Sequence, residues 1–282
     1  MSGSERDARR WAGIRTKHWN LRSYDLPSDL AHVPTMLTPE ERRMLGWIGE
    51  VFPEGRGVIC DLGAFLGGST VHLAHGAGRS PHRPVVHAFD QFTIADEHKG
   101  PWLYDWGHPP FFGNDMFPLF EGFTRPYGEG VRPWRGQIEA HAWTGDPIEI
   151  LFVDICKGWD TQLHVMREFY PALIPGESLV IQQDFQFWMH PWVVATTEAL
   201  HPKLSLIGWT EDNSALFACT AAIKREEVEA LAPPKLSSSD VIRLIERASA
   251  RFPYARQREA VWLNRTAFER NPGARYSWEL SL

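Results

Sequence analysis

A doubly wound α/β fold is predicted for this chain on three observations. Short apolar runs that end in glycine or an acid recur along it, stretches with helical apolar spacing lie between them, and the last two runs are joined directly, as in a hairpin. Strand, helix, strand alternation is the signature of a parallel sheet.

The elements follow in order. GVICDLG (57–63) and PVVHAFD (84–90) read as the first two strands, and GGSTVHLAHGAG (67–78) between them reads as a helix stopped by glycines. RGQIEAHAW (135–143) is taken to lie between the third strand and the fourth, and no run marks where that third strand falls. IEILFVD (148–154) reads as a strand, and DTQLHVMREFYPALIPG (160–176) as a helix with Leu163, Met166, Tyr170 and Leu173 on one face, closed by Pro175 and Gly176. ESLVIQQ (177–183) is the next strand and HPWVVATTEAL (190–200) the next helix. LSLIGWTEDNSALFACTAAI (204–223) is a pair of strands joined at a turn near 211–214. About seven strands result.

The domain is expected over 40–223, with a helical or irregular segment at 1–39 and a helical extension at 224–282, where Ser237 to Asp240 caps a helix. Residues 93–135 stand apart. Trp102, Tyr104, Trp106, Phe111, Phe112, Phe117, Phe120 and Phe123 lie among prolines and glycines without a sustained period, which suits a lid or pocket wall at the carboxyl edge of the sheet; an aromatic mini-core over a sheet edge is the alternative.

Composition narrows the function. With 43% apolar and 23% charged residues the chain suits a globular protein, and a net charge of −6 supplies no positive field for nucleic acid or an anionic membrane. Cys60, Cys156 and Cys219 are too widely spaced for a zinc site and odd in number, so reduced thiols in a cytoplasmic protein are expected. The charged N-terminus lacks the apolar core of a signal peptide, and no run is long enough to span a bilayer. The terminal tryptophans Trp11, Trp19, Trp262 and Trp278 are expected to pack on their own domain or on a second copy in a homo-oligomer.

Chemistry concentrates at strand ends. DLGAFLGGST (61–70) places Asp61, Gly63, Gly67 and Ser69 where the first strand turns into a helix, so that the backbone can approach a ligand and free N–H groups face an anion. The spacing is neither that of a dinucleotide fingerprint nor that of a P-loop. Asp90, ending the second strand, is placed to accept hydrogen bonds from ribose hydroxyls.

VICDLGAFLGGSTVHLA (58–74) resembles the first motif of class I S-adenosylmethionine-dependent methyltransferases, in the form found in catechol and caffeoyl-CoA O-methyltransferases. VVHAFDQF (85–92) resembles the second motif of the macrocin O-methyltransferase group, which methylates sugar hydroxyls on natural products. The resemblance spans 58–176, more loosely to 223. It implies a Rossmann-like, mostly parallel seven-stranded sheet with an antiparallel last strand, S-adenosylmethionine as cofactor and a small-molecule hydroxyl as acceptor. It further implies that Gly63 and Gly67 admit the methionine part, Ser69 binds its carboxylate, Asp61 lies near its amino group, Asp90 holds the ribose, and Gln137 with Ile138 lies near the adenine.

LFVDICKGWD (151–160) resembles the segment of the metal-dependent members in which an Asp binds the cation and a Lys three residues on acts as general base; Asp154 and Lys157 match. Asp154, Gln183 and Asp184 are thereby candidate Mg²⁺ ligands, as oxygen donors should be. Yet the fifth strand ends Gln183-Asp184 where the relatives carry Asp-Asn or Asp-Asp, and Cys156 stands where the macrocin-like group has an Asp. A metal-free site of the same geometry is the alternative. Lys157 serves as base only if its pKa is depressed, and pairing with Asp154 raises it. His190 is the preferred alternative base, with His108 and His141 behind it. Two other readings stay open: a cofactor-binding module that has lost turnover, and a nicotinamide-dependent oxidoreductase.

Overall fold

The computed structural model describes residues 10–21 and 27–282, which form two compact units, 1–137 and 138–282. The parts of the expected 1–39 segment at 1–9 and 22–26 lie outside the described residues.

In the first unit, helix α1 (Pro39–Val51) opens on a reciprocal cap: Thr38 Oγ1 accepts from Glu41 N–H, and the Glu41 carboxylate accepts from Thr38 N–H. Strand β1 (Val58–Leu62), helix α2 (Gly68–Arg79) and strand β2 (Val86–Asp90) follow, and β1 pairs with β2 in parallel. Helices α1 and α2 touch backbone to backbone, since a Cβ on Gly76 would lie 2.1 Å from the Gly46 carbonyl oxygen. The insert at 93–135 is more ordered than its composition suggests. It contains α3 (Asp96–Trp102), α4 (Phe117–Thr124) and β3 (Val131–Arg135), a parallel partner of β2 whose last four residues are exposed.

The second unit carries β4 (Ile148–Val153), α5 (Trp159–Phe169), β5 (Leu179–Gln182), α6 (Pro191–Ala199), and the antiparallel pair β6 (Leu204–Trp209) and β7 (Ala215–Cys219). Strand β5 runs parallel to β4 and antiparallel to β7. Strands β1, β4 and β5 are buried throughout, as continuous apolar runs demand of the middle of a parallel sheet. The strand order is β3-β2-β1-β4-β5-β7-β6, so the predicted doubly wound sheet with one strand reversed is what forms. The reversed strand is the last in sequence and sits between β5 and β6.

The extensions belong to the units they flank. Trp19 is buried against Trp47 of α1 and donates to Glu40. Helices α7 (Arg225–Glu229), α8 (Ser238–Ala250) and α9 (Ala255–Arg270) complete the second unit, where Arg247 and Arg251 both pair with the buried Glu198 of α6. Helix α8 has the expected cap: Ser237 accepts from Asp240 N–H. Among the described residues no helix is long and apolar enough to cross a membrane.

Candidate functional site

The first unit holds the glycine turn. Between β1 and α2 the chain takes positive φ at Gly63 (99°), Phe65 (49°) and Gly67 (95°), a path that only glycine adopts without strain. Beneath it Asp61 is fully buried, and its carboxylate accepts hydrogen bonds from Ser69 Oγ (2.8 and 3.0 Å) and Thr70 Oγ1 (2.5 Å). Burial pushes Asp61 up to about 6, while the two hydroxyls pull it back. The Ser69 hydroxyl proton is thus directed at Asp61.

Asp90 ends β2. One carboxylate oxygen accepts from Phe65 N–H (2.9 Å) and the other from Phe92 N–H (2.7 Å). Burial raises its pKa against these hydrogen bonds. The Gln91 N–H also donates to this carboxylate, which leaves one of its roughly four lone-pair sites open to a hydroxyl donor. Phe92 also has positive φ (54°), so two of the three residues that grip Asp90 are strained. Thr70, Phe65 and Phe92 are the residues that sequence reasoning missed. Thr70 was legible as a second hydroxyl in the first helical turn; nothing in the sequence marks a phenylalanine for positive φ.

The insert starts directly from this site. Its neck is closed by Ile94 N–H to Asn114 O and Met116 N–H to Phe92 O, both 2.9 Å. Phe120 of α4 is buried against Phe92, and its ring would lie 3.3 Å from a Cβ added at Gly67. At the far end the buried Lys99 binds the carbonyl oxygens of Phe111 and Gly113, pairs with Asp96 and lies over the Phe111 ring, leaving Phe112 fully exposed. His108 packs edge-on against Phe123 in this insert. Gln137 is exposed just beyond β3, with Gly136 N–H bonded to the Asp90 carbonyl.

In the second unit Asp154 follows β4, and Asp184 lies two residues beyond β5 with φ of 62°. Gln183 N–H bonded to Val153 O keeps the two ends in register. Lys157 Nζ lies between the two acids, 3.0 Å from Asp154 Oδ1 and hydrogen-bonded to Asp184 Oδ2. The paired carboxylates outweigh burial and hold Lys157 well above the ordinary lysine range. It is an ammonium ion, which corrects its role as general base. Asp154 is likewise committed to that ion pair.

His190 is 3% exposed, with Nε2 3.9 Å from Asp184 Oδ2 and no protein hydrogen bond at either ring nitrogen. Burial first, then Lys157, lowers it to about 4, with Asp184 opposing, so at neutral pH it is a free imidazole. Its backbone N–H donates to Asn264 Oδ1 of α9 (3.1 Å). The Lys157 loop is tied down twice: Trp192 Nε1 donates to the Cys156 carbonyl (2.8 Å), and Ser277 N–H to that of Lys157 (2.9 Å). The Cys156 thiol itself is buried and raised in pKa, so it does not replace the missing acid. His141, before β4, accepts at its carbonyl from His164.

The donor set does not suit Mg²⁺. The ammonium of Lys157 stands between the two carboxylates proposed as ligands, and the space bounded by Asp154, Lys157, Gln183, Asp184 and His190 is about 10 Å³, whereas Mg²⁺ keeps several waters. Gln183 Oε1 is buried without a hydrogen bond. Among the described residues no group of three or more His, Cys, Asp or Glu side chains is arranged to hold a metal. The three expected ligands, Asp154, Gln183 and Asp184, are thus corrected.

No protein-family model matches the chain, and no curated protein matches it in sequence. Solved structures similar to it include the cofactor-bound Rv0187 protein from MTB, at 12% identity over 76% of this chain and 89% of that one, with a TM-score of 0.45. A putative O-methyltransferase from Klebsiella pneumoniae is 13% identical over 78% of this chain and 92% of that one, with a TM-score of 0.43. The S-adenosylhomocysteine-bound methyltransferase PaMTH1 of Podospora anserina is 10% identical over 77% of this chain and 88% of that one, with a TM-score of 0.44. Likenesses this distant carry no assignment of function.

Proposed function

We propose that the chain is an S-adenosylmethionine-dependent methyltransferase acting on a hydroxyl of a small molecule. The observation that carries this reading is the pair of acids in the first unit: Asp61 buried under a glycine turn, and Asp90 gripped by the backbone N–H groups of Phe65, Gln91 and Phe92 with one acceptor site to spare. Bound S-adenosylmethionine supplies an activated methyl group on a sulfonium. Asp61 would face its ammonium group and Asp90 its ribose. The aromatic insert, necked at Phe92, would exclude water and receive an acceptor with apolar or ring surface.

The acceptor hydroxyl must lose a proton. Lys157 is already protonated, so His190 is assigned this role. With Nε2–H directed toward Asp184, Nδ1 is the proton acceptor, and the Asp184 carboxylate stabilises the imidazolium that forms.

Titration with S-adenosylhomocysteine by calorimetry tests the reading, and a chain that binds none sinks it. The commitment of both acids to Lys157 favours one competing reading, a cofactor-binding module without turnover. Binding of S-adenosylhomocysteine together with no product release from any of a broad panel of hydroxylated acceptors would select it.

A further inference from the structure

We propose that a groove at the amino ends of β2 and β3 is a second binding site, and that it takes a small organic anion with an apolar ring. The groove lies within the first unit, between the last turns of α2, the turn into β2 and the 126–133 segment, and its volume is about 1090 Å³. It opens where α4 stops at Thr124, and a 3₁₀ stretch kinked at Gly128 carries the chain past α2 into β3. Its floor is apolar and buried: Ala74 and Ala77 of α2, Pro84, and Val131 of β3. The charged side chains along it, Arg83, Arg132 and Glu129, are exposed. An apolar body with a few polar groups at its mouth is the build of a small-molecule site.

The charges select the ligand. Among the described residues neither Arg83 nor Arg132 makes an ion pair or a side-chain hydrogen bond. Their guanidinium groups are planar forks of donors, matched to the oxygens of a carboxylate, sulfonate or phosphate. Two arginines against one glutamate leave the rim one charge positive, which suits a monoanion. Arg83 also stands at φ of 45° directly before Pro84, where extended backbone is preferred, and strain of this kind gathers at ligand clamps. The groove has room besides: a Cβ added at Gly78 or Gly130 would meet no atom within 4 Å. It is separate from the glycine turn, since Val85 precedes Asp90 by five residues, about 16 Å along an extended strand. The inference therefore stands apart from the methyl-transfer reading, and a chain that binds no S-adenosylhomocysteine is still open to its test.

The experiment is a fluorescence titration of the full-length chain with anilinonaphthalene sulfonate, an anion with a ring body, with and without excess S-adenosylhomocysteine. Wild type should bind one equivalent at micromolar concentration in either case. Arg83→Ala with Arg132→Ala should weaken this at least tenfold, and so should Gly78→Phe, which fills the groove from α2. The uncharged probe phenylnaphthylamine should be lost with Gly78→Phe and change less than twofold with the arginine pair. Circular dichroism confirms the fold of each variant, and Gly78→Phe alone carries the test should the arginine pair unfold. A wild-type chain that binds no sulfonate overturns the proposal, as does displacement by S-adenosylhomocysteine, or a folded variant of either kind that binds the sulfonate as wild type does.

Discussion

His190 and Asp61 carry opposite pH signatures. The Asp61 carboxyl is moved from its ordinary value near 4 to about 6, so between those values the folded chain holds a proton that the unfolded chain lacks. Its stabilising contribution is complete below about pH 4 and is lost as pH rises through about 6, a difference of up to about 3 kcal/mol at roughly 1.4 kcal/mol per unit. His190 is depressed from near 6.5 to about 4, so its contribution is present above 6.5 and lost as pH falls through 4. Thermal unfolding from pH 7 to 4.5 should show Asp61→Asn losing stability relative to wild type, and His190→Gln gaining it, as pH falls. Turnover should separate the two as well. The KM for S-adenosylmethionine should rise below about pH 6, when Asp61 loses its charge, whereas kcat should hold until near pH 4. His190→Gln should lower kcat about 10²- to 10⁴-fold while calorimetric affinity for S-adenosylhomocysteine stays unchanged.

At the scale of elements, the contact of α1 with α2 depends on the absence of a side chain. Gly76→Ala would place a methyl 2.1 Å from the Gly46 carbonyl, and only separation of the helices relieves it. A loss of about 1–3 kcal/mol is expected by urea denaturation. The strands that the sequence announced are β1, β2, β4 and β5, whose apolar runs follow from their burial, and the antiparallel pair β6 and β7. Strand β3, VRPWR, escaped because it lies at the edge, where four exposed residues and a proline are tolerated and no apolar run is needed. The order within 93–135 was hidden for a related reason. Its anchors are one buried lysine on two carbonyls and a phenylalanine against a glycine, which leave no periodicity. At the site, the acids at strand ends were legible from the alternation of apolar run and acid. That Lys157 bridges acids 30 residues apart in sequence order was not, because a lysine three residues from one acid looks the same whether its ammonium is free or clasped.

For the whole molecule, the proposed cofactor should act as a ligand of the native state alone. At a hundredfold excess over Kd, S-adenosylhomocysteine should add about 2.7 kcal/mol and raise the melting temperature, a shift that Asp90→Ala should largely remove. The C-terminal extension has its own bearing on the chemistry. Asn264 holds the peptide N–H of His190, and Ser277 holds the carbonyl of Lys157. A chain cut at residue 223 would lose both tethers while keeping every side chain that the resemblance names. The tail is thus an adjusting screw on the loops that carry His190 and Lys157: sequence change there, far from any motif, would shift those two side chains and leave the turn around Asp61 and Asp90 as it was.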